Sequence, residues 1–269
     1  MLRFTPNLTM LFTEHAFLDR FAAARDAGFT HVELQFPYAH PPEAVAGAAR
    51  RAGVEVVLFN LPAGDWRGGE RGIAALAGRE GEFRAGVDQA LRYAEALGTQ
   101  KLNALAGVVP AAKRREALDV LDANLRVAVE ALQTRGVSLV VEAINGYDVP
   151  GFLLQVAGDL EAVLQRLEPL EARMQLDVYH LQRSQGELVG TITRHLPRIG
   201  HVQIADVPGR HEPGTGEIRY DFVLDALEGL GYEGFVGLEY LPATGTLASL
   251  GFLARRLRRG DSQPDRPRS

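Results

Sequence analysis

Val137-Ser138-Leu139-Val140-Val141-Glu142-Ala143-Ile144-Asn145 is a short, nearly continuous aliphatic run that ends in a carboxylate and is preceded by Gly136. The run is too brief for a buried helix and rich in β-branched residues, so it predicts a strand covered on both faces, as in a parallel sheet. Just before it, from Ala111 to Thr134, the residues Ala117, Leu118, Leu121, Leu125, Ala128 and Leu132 recur three or four apart and form one apolar stripe. That period predicts a helix packed on the strand. The same alternation extends in both directions. Further strand candidates are Arg3 to Asn7, His31 to Gln35, Val54 to Asn60, Lys101 to Gly107, Met174 to Val178, His201 to Asp206 and Phe235 to Tyr240, and Glu80 to Leu97 is a second clear helix. Gly28, Gly53, Gly98 and Gly136 each fall between a helical run and the next strand, where a helix end favours a residue tolerant of left-handed backbone. Eight such units in 269 residues predict an α/β chain folded as a single (β/α)8 TIM barrel over 1–258, with a flexible tail over 259–269. An open doubly wound sheet is the alternative arrangement.

Composition narrows the function classes. Hydrophobic residues make up 46% and charged residues 23%, as in a soluble globular protein. With 34 acidic against 29 basic residues the net charge is -5, which argues against nucleic acid as a partner. The absence of cysteine excludes a disulfide framework, thiolate-bound zinc, iron–sulfur clusters and a thiol nucleophile. Met1 to Met10 lack the charged and then apolar layout of a secretion signal, and no apolar run is long enough to span a membrane. A cytoplasmic protein with no membrane partner is expected, and the composition permits a homo-oligomer. No phosphate-binding P-loop, dinucleotide fingerprint or Gly-x-Ser-x-Gly elbow occurs.

Two loops, Asn60 to Arg79 and Ala205 to Arg219, are longer than a barrel needs. Both follow a strand, which places them on the C-terminal face, where barrel active sites are built. On the same face fall Glu142, Asp177, Gln203 and Glu239, one at the end of each of the last four strands. A lone charge in an apolar strand costs several kcal/mol if buried without compensation. Because the helix-facing positions are aliphatic, these side chains should point inward near the mouth, where three carboxylates converge. Like charges so confined need protons or a cation, and oxygen-only ligation favours Mg2+ or Mn2+. For any one acid, pairing with arginine or capping a loop is a competing explanation; for all four at one level it is a weaker one. Carboxylates around a divalent metal suit aldose–ketose isomerisation: the metal polarises a carbonyl while acids remove and return a proton on adjacent carbons. His180, just beyond the sixth strand, is a candidate substrate contact, and the deeper His201 a candidate orienting residue. Arg210 and Arg71, one in each long loop, are candidates for gripping an anionic substrate, against the plain reading of surface arginines.

These residues resemble the hydroxypyruvate isomerases, within the xylose-isomerase-like barrel superfamily. The likeness runs over most of the chain, from Asn7-Leu8-Thr9-Met10-Leu11-Phe12 to Leu238-Glu239-Tyr240. Its more specific stretches are Asn60-Leu61-Pro62-Ala63-Gly64-Asp65-Trp66, Glu142-Ala143-Ile144-Asn145, Asp177-Val178-Tyr179-His180 and Gly200-His201-Val202-Gln203-Ile204-Ala205-Asp206. The resemblance implies that Glu142, Asp177, Gln203 and Glu239 bind a divalent cation and that Glu142 and Glu239 are the acid/base pair. It also implies interconversion of hydroxypyruvate and 2-hydroxy-3-oxopropanoate (tartronate semialdehyde). Gln203 stands where many relatives place histidine. Relatives that isomerise 2-oxo-tetronates share most of these motifs, so a small hydroxy-keto acid of that length is the alternative substrate. Remoter alternatives are a metal-dependent hydrolase or endonuclease, which would want more histidine ligands than His180 and His201, and a noncatalytic barrel.

Overall fold

The computed structural model describes residues 1–254 and Arg256; the tail expected over 259–269 lies outside the described residues. Strands β1 (Arg3–Pro6), β2 (His31–Glu33), β3 (Glu55–Asn60), β4 (Lys101–Ala104), β5 (Ser138–Glu142), β6 (Ala172–Asp177), β7 (Ile199–Ile204) and β8 (Phe235–Leu238) pair in the order β1-β8-β7-β6-β5-β4-β3-β2. Every pairing is parallel. The remaining seam, between β1 and β2, is joined by a parallel bridge of Asn7 with Glu33, and Leu8 N donates to Glu33 O at 2.8 Å. That bridge closes the sheet into the expected (β/α)8 barrel and leaves no open doubly wound edge.

Around the sheet lie α1 (Arg20–Asp26), α2 (Pro42–Ala52), α3 (Glu80–Leu97), α4 (Arg114–Gln133), α5 (Ala157–Leu167), α6 (Val178–Ser184), α7 (Leu188–His195), α8 (Tyr220–Gly229) and α9 (Thr246–Ser249). Helix α3 occupies the span its period predicts, while Ala111–Lys113 form a single 3-10 turn that leads into α4. Gly53 and Gly98 end α2 and α3 at φ 67° and 70°, a backbone that a side chain would strain. The stripe Ala117, Leu121, Leu125, Ala128 and Leu132 is buried, as are the strand residues Leu102, Leu139 and Val141. Each such leucine contributes about 2 kcal/mol of burial. None of the described helices is long and apolar enough to cross a membrane.

Inside the barrel the chemistry changes. Thr5, Asn7, Glu33, Asn103, Gln175, His201 and Gln203 are all buried, where barrels more often stack branched aliphatic residues. A polar interior is costly unless each group finds a partner, so its connections bear directly on the site above it.

Candidate active site

Strand register sets the expected site residues at nearly one height: Glu142 pairs with Gln175, Asp177 with Gln203, and Gln203 with Gly237, two residues before Glu239. All four are almost wholly buried at the C-terminal mouth. Glu142 Oε2 accepts from Asn103 Nδ2 at 2.9 Å and from Gln175 Nε2 at 3.0 Å. Asp177 caps α6, its Oδ1 accepting from Tyr179 N at 2.8 Å, while Oδ2 lies 3.2 Å from Arg210 Nη2. Glu239 Oε1 accepts from Asn7 Nδ2 at 3.1 Å and Gln35 Nε2 at 3.0 Å, and its Oε2 meets the same Arg210 nitrogen at 2.5 Å. Gln203 Oε1 accepts from Gln175 Nε2 at 2.7 Å, and Gln203 Nε2 donates to Glu33 at 2.8 Å.

Crowding of acids out of water shows in their proton affinities. Burial lifts Glu142 well above the usual carboxylate range, and repulsion from Glu239 and Asp177 adds to it. Burial also raises Asp177, opposed by Arg210 and backbone donors, and pushes Glu239 up to about 7 against the pull of Arg210. Arg210 stays charged because Glu239, Asp177 and Glu142 outweigh its own desolvation. A single guanidinium thus faces three carboxylates. Glu142, Asp177 and His180 bring ligand atoms within 4.8 Å of one another. Buried, mutually repelling oxygen donors of this kind fit a hard divalent cation.

His180 differs from the acids. Burial, then Arg210 and Arg183, hold its pKa well below 6.5, so the ring is neutral. Asn145 Oδ1 accepts from Tyr147 N and Asp148 N, which turns Asn145 Nδ2 toward His180 Nδ1 at 2.6 Å. Nδ1 is therefore an acceptor and the ring proton sits on Nε2, 3.6 Å from Asp177 Oδ2. A nitrogen that carries its proton is a better donor to an oxygen than a metal ligand.

The loop after β7 delivers Arg210. Asp206, fully buried, accepts from the backbone N–H of Val207, Ile218, Gly214 and Gly216 at 2.8–3.0 Å. Arg210 itself has φ 57°, a left-handed conformation that costs a side-chain-bearing residue about 1 kcal/mol. It is held by Arg210 N donating to Asp206 O and Leu241 N donating to Arg210 O, and its guanidinium stacks 5.2 Å from the Tyr179 ring. Arg71, the other expected clamp, instead packs over Trp66 at 4.3 Å and donates to the carbonyls of Trp66 and Glu70 in its own loop.

The sequence reading missed the layer below. Glu33 accepts from Gln203 and Asn7 and meets His201 Nε2 at 2.8 Å, so His201 touches this carboxylate rather than one of the four expected ligands. The signal was available: His31-Val32-Glu33-Leu34 embeds a carboxylate among strand residues just as Val141-Glu142-Ala143 does. Asn103 and Gln175 carried a weaker one, as amides with the inward parity of a strand, Gln175 two before Asp177.

A family model described as the xylose isomerase-like TIM barrel matches residues 21–256. Hydroxypyruvate isomerase of Escherichia coli (strain K12) is 46% identical over 251 residues, covering 93% of this chain and 97% of that protein. 2-Oxo-tetronate isomerase of Cupriavidus necator is 42% identical over 254 residues, covering 94% and 98%. A crystal structure described as AP endonuclease, family 2, from Brucella melitensis matches with a TM-score of 0.92 at 39% identity, covering 95% of this chain and 99% of that one. The chain belongs to the hydroxypyruvate isomerase family of the xylose isomerase-like TIM barrels, and it is an enzyme of the isomerase class.

Proposed function

We propose that this enzyme interconverts hydroxypyruvate and 2-hydroxy-3-oxopropanoate, with Glu142, Asp177, Gln203 and Glu239 holding a Mg2+ or Mn2+ ion. The observation that carries this reading is the convergence of three buried carboxylates, Glu142, Asp177 and Glu239, around one cationic side chain at the barrel mouth. A bound divalent ion would polarise the substrate's carbonyl and favour the enediolate. Glu142 and Glu239 are the proton carriers: one takes the proton from carbon 3, giving the enediolate, the hydroxyl proton passes from the oxygen on carbon 3 to the oxygen on carbon 2, and the other glutamate delivers a proton to carbon 2, leaving the aldehyde at carbon 3. Burial raises the proton affinity of both above that of an ordinary carboxylate, and a bound cation would draw it back down. In this reading Arg210, which lies among these acids, takes the substrate's carboxylate, and the Nε2 proton of His180 bonds a substrate oxygen. Arg71 packs on Trp66, whose ring lies 4.8 Å from that of Phe36.

A 2-oxo-tetronate, one carbon longer, is the second reading, supported by the 42% identical relative that bears that name. The deciding experiment is a product assay with hydroxypyruvate and 2-oxo-tetronates, with chelator and metal add-back. Turnover of hydroxypyruvate that chelator abolishes and metal restores is the expected result. If neither keto acid turns over while the folded chain holds its metal, the isomerase assignment fails.

A further inference from the structure

The least expected group in the barrel is Glu33. It is fully buried beneath the mouth, and both of its oxygens are engaged. Oε1 accepts from Gln203 Nε2 at 2.8 Å and from Asn7 Nδ2 at 3.2 Å; Oε2 faces His201 Nε2 at 2.8 Å. The fold has made space for it on β8, the strand beyond β1. A Cβ on Gly237 would lie 2.4 Å from Glu33 Oε2, and Gly237 has no left-handed backbone to account for its lack of a side chain. Burying a carboxylate this deeply costs several kcal/mol before its partners compensate, so packing alone would favour an apolar residue.

Its connections say what it contributes. A glutamine amide has two ends of nearly equal shape, and its hydrogen-bond partners decide which end points where. Below Gln203 stands Glu33, which as a carboxylate can only accept, so the amide turns its nitrogen down. Its oxygen is left at the height of Asp177, where Gln175 Nε2 reaches it at 2.7 Å and one lone pair stays free. Through Asn7 Nδ2, which donates to both Glu33 Oε1 and Glu239 Oε1, the same carboxylate also braces a second acid of the mouth.

We infer that Glu33 is a positioning residue that fixes the Gln203 amide with its oxygen toward the metal-binding acids. This rests on the metal site proposed above. Glu33 touches neither substrate nor ion; it acts mainly through Gln203, with the Asn7 link to Glu239 a secondary route, and its acceptor oxygen matters more than its charge.

The test is Mn2+ titration of the full-length chain, read by the electron paramagnetic resonance of the free ion, alongside melting in chelator. Glu33→Leu, which removes the acceptor with a somewhat larger apolar side chain, is expected to weaken Mn2+ binding about 10- to 100-fold. Glu33→Gln is expected to stay within about 3-fold of the parent, because its amide oxygen can replace Oε1 for Gln203 and Asn7. Its amide nitrogen then faces His201 Nε2, which moves the ring proton to Nδ1, where the structure provides no partner. Glu33→Gln should therefore melt lower while keeping its metal, a split that a purely structural role does not produce. In a Gln203→Ala background, Glu33→Leu should cost less than about 3-fold more, since effects that act through one partner are not additive. Should Glu33→Leu fail to fold, Gly237→Ala displaces the same carboxylate and should weaken binding at least about 10-fold. Unchanged affinity in Glu33→Leu, equal losses in Glu33→Leu and Glu33→Gln, or full additivity with Gln203→Ala would each overturn the inference. A parent chain that takes up no Mn2+ overturns the metal reading, and this inference with it.

Discussion

Arg210 Nη2 lies 2.5 Å from Glu239 Oε2, so the loop after β7 presses a fixed positive charge against the acid at the tip of β8. The guanidinium is the chief influence holding Glu239 near neutrality instead of higher. Arg210→Gln should leave two buried acids without their counter-charge and lower stability by about 3 kcal/mol, measured by urea unfolding at pH 8. Its KM for hydroxypyruvate should rise by more than about 10-fold, the loss of a charge-assisted pair with the substrate carboxylate. Arg71→Ala, whose contacts lie within its own loop, should change KM by less than about 3-fold. Equal effects of the two substitutions would remove Arg210 from substrate binding.

Stability in chelator should depend on pH in a defined direction. Glu239 binds its proton more tightly in the folded chain, moving from 4.5 to about 7, so the folded state holds an extra proton between those values. The associated stability is complete below about pH 4.5 and is lost as pH rises through about 7, roughly 3 kcal/mol for this group. Glu142 and Asp177, also raised, act in the same direction. Melting temperature in chelator should fall from pH 5.5 to 7.5, and Glu239→Gln should flatten that fall. A parent that melts higher at pH 7.5 than the variant does, with no difference at pH 5.5, contradicts the sign.

Replacing either glutamate proposed as a proton carrier should abolish turnover without unfolding the barrel. Glu142→Gln and Glu239→Gln keep shape and hydrogen-bonding capacity, and loss of a general acid or base lowers kcat by about 100- to 10,000-fold. Circular dichroism and progress curves with hydroxypyruvate check both halves. A variant that keeps a tenth of the parent's kcat is not a proton carrier.

Asp206 should act at a distance. Its carboxylate satisfies four backbone N–H groups of the loop that carries Arg210. Asp206→Asn turns an amide N–H toward two of these donors, which costs about 2 kcal/mol or more. Trypsin should then cut at Arg210 or Arg219 faster than in the parent, and KM should rise more than kcat falls. An unchanged cleavage pattern would mean that the loop is held by other contacts.

Much of this molecule can be read along one dimension. Eight strand–helix units follow from short aliphatic runs, the stripe of α4 and glycines such as Gly53 and Gly98, because local periodicity and helix ends are properties of neighbouring residues. The acids Glu142, Asp177 and Glu239 could be placed at the mouth because each interrupts an apolar strand near its end. Strand boundaries were less legible: Ile144 reads as part of the strand, yet its N–H turns to Leu154 O beyond β5. Arg71 and Arg210 look alike in sequence, and only the path of each loop decides which one faces the acids. The carboxylate of Glu33 is visible in its own strand, but its role is not, because that depends on Gly237 and Gln203, partners about two hundred residues away.

The pairing of β1 with β8 has a temporal side. Asn7 bonds Glu239 across 232 residues, and β1 takes its place beside β8 only after β8 exists. During synthesis the early units can dock on one another, but the pocket lacks Glu239 until β8 has left the ribosome. Activity should therefore emerge late and all at once, and a fragment stopped short of β8 should fold in part yet show none.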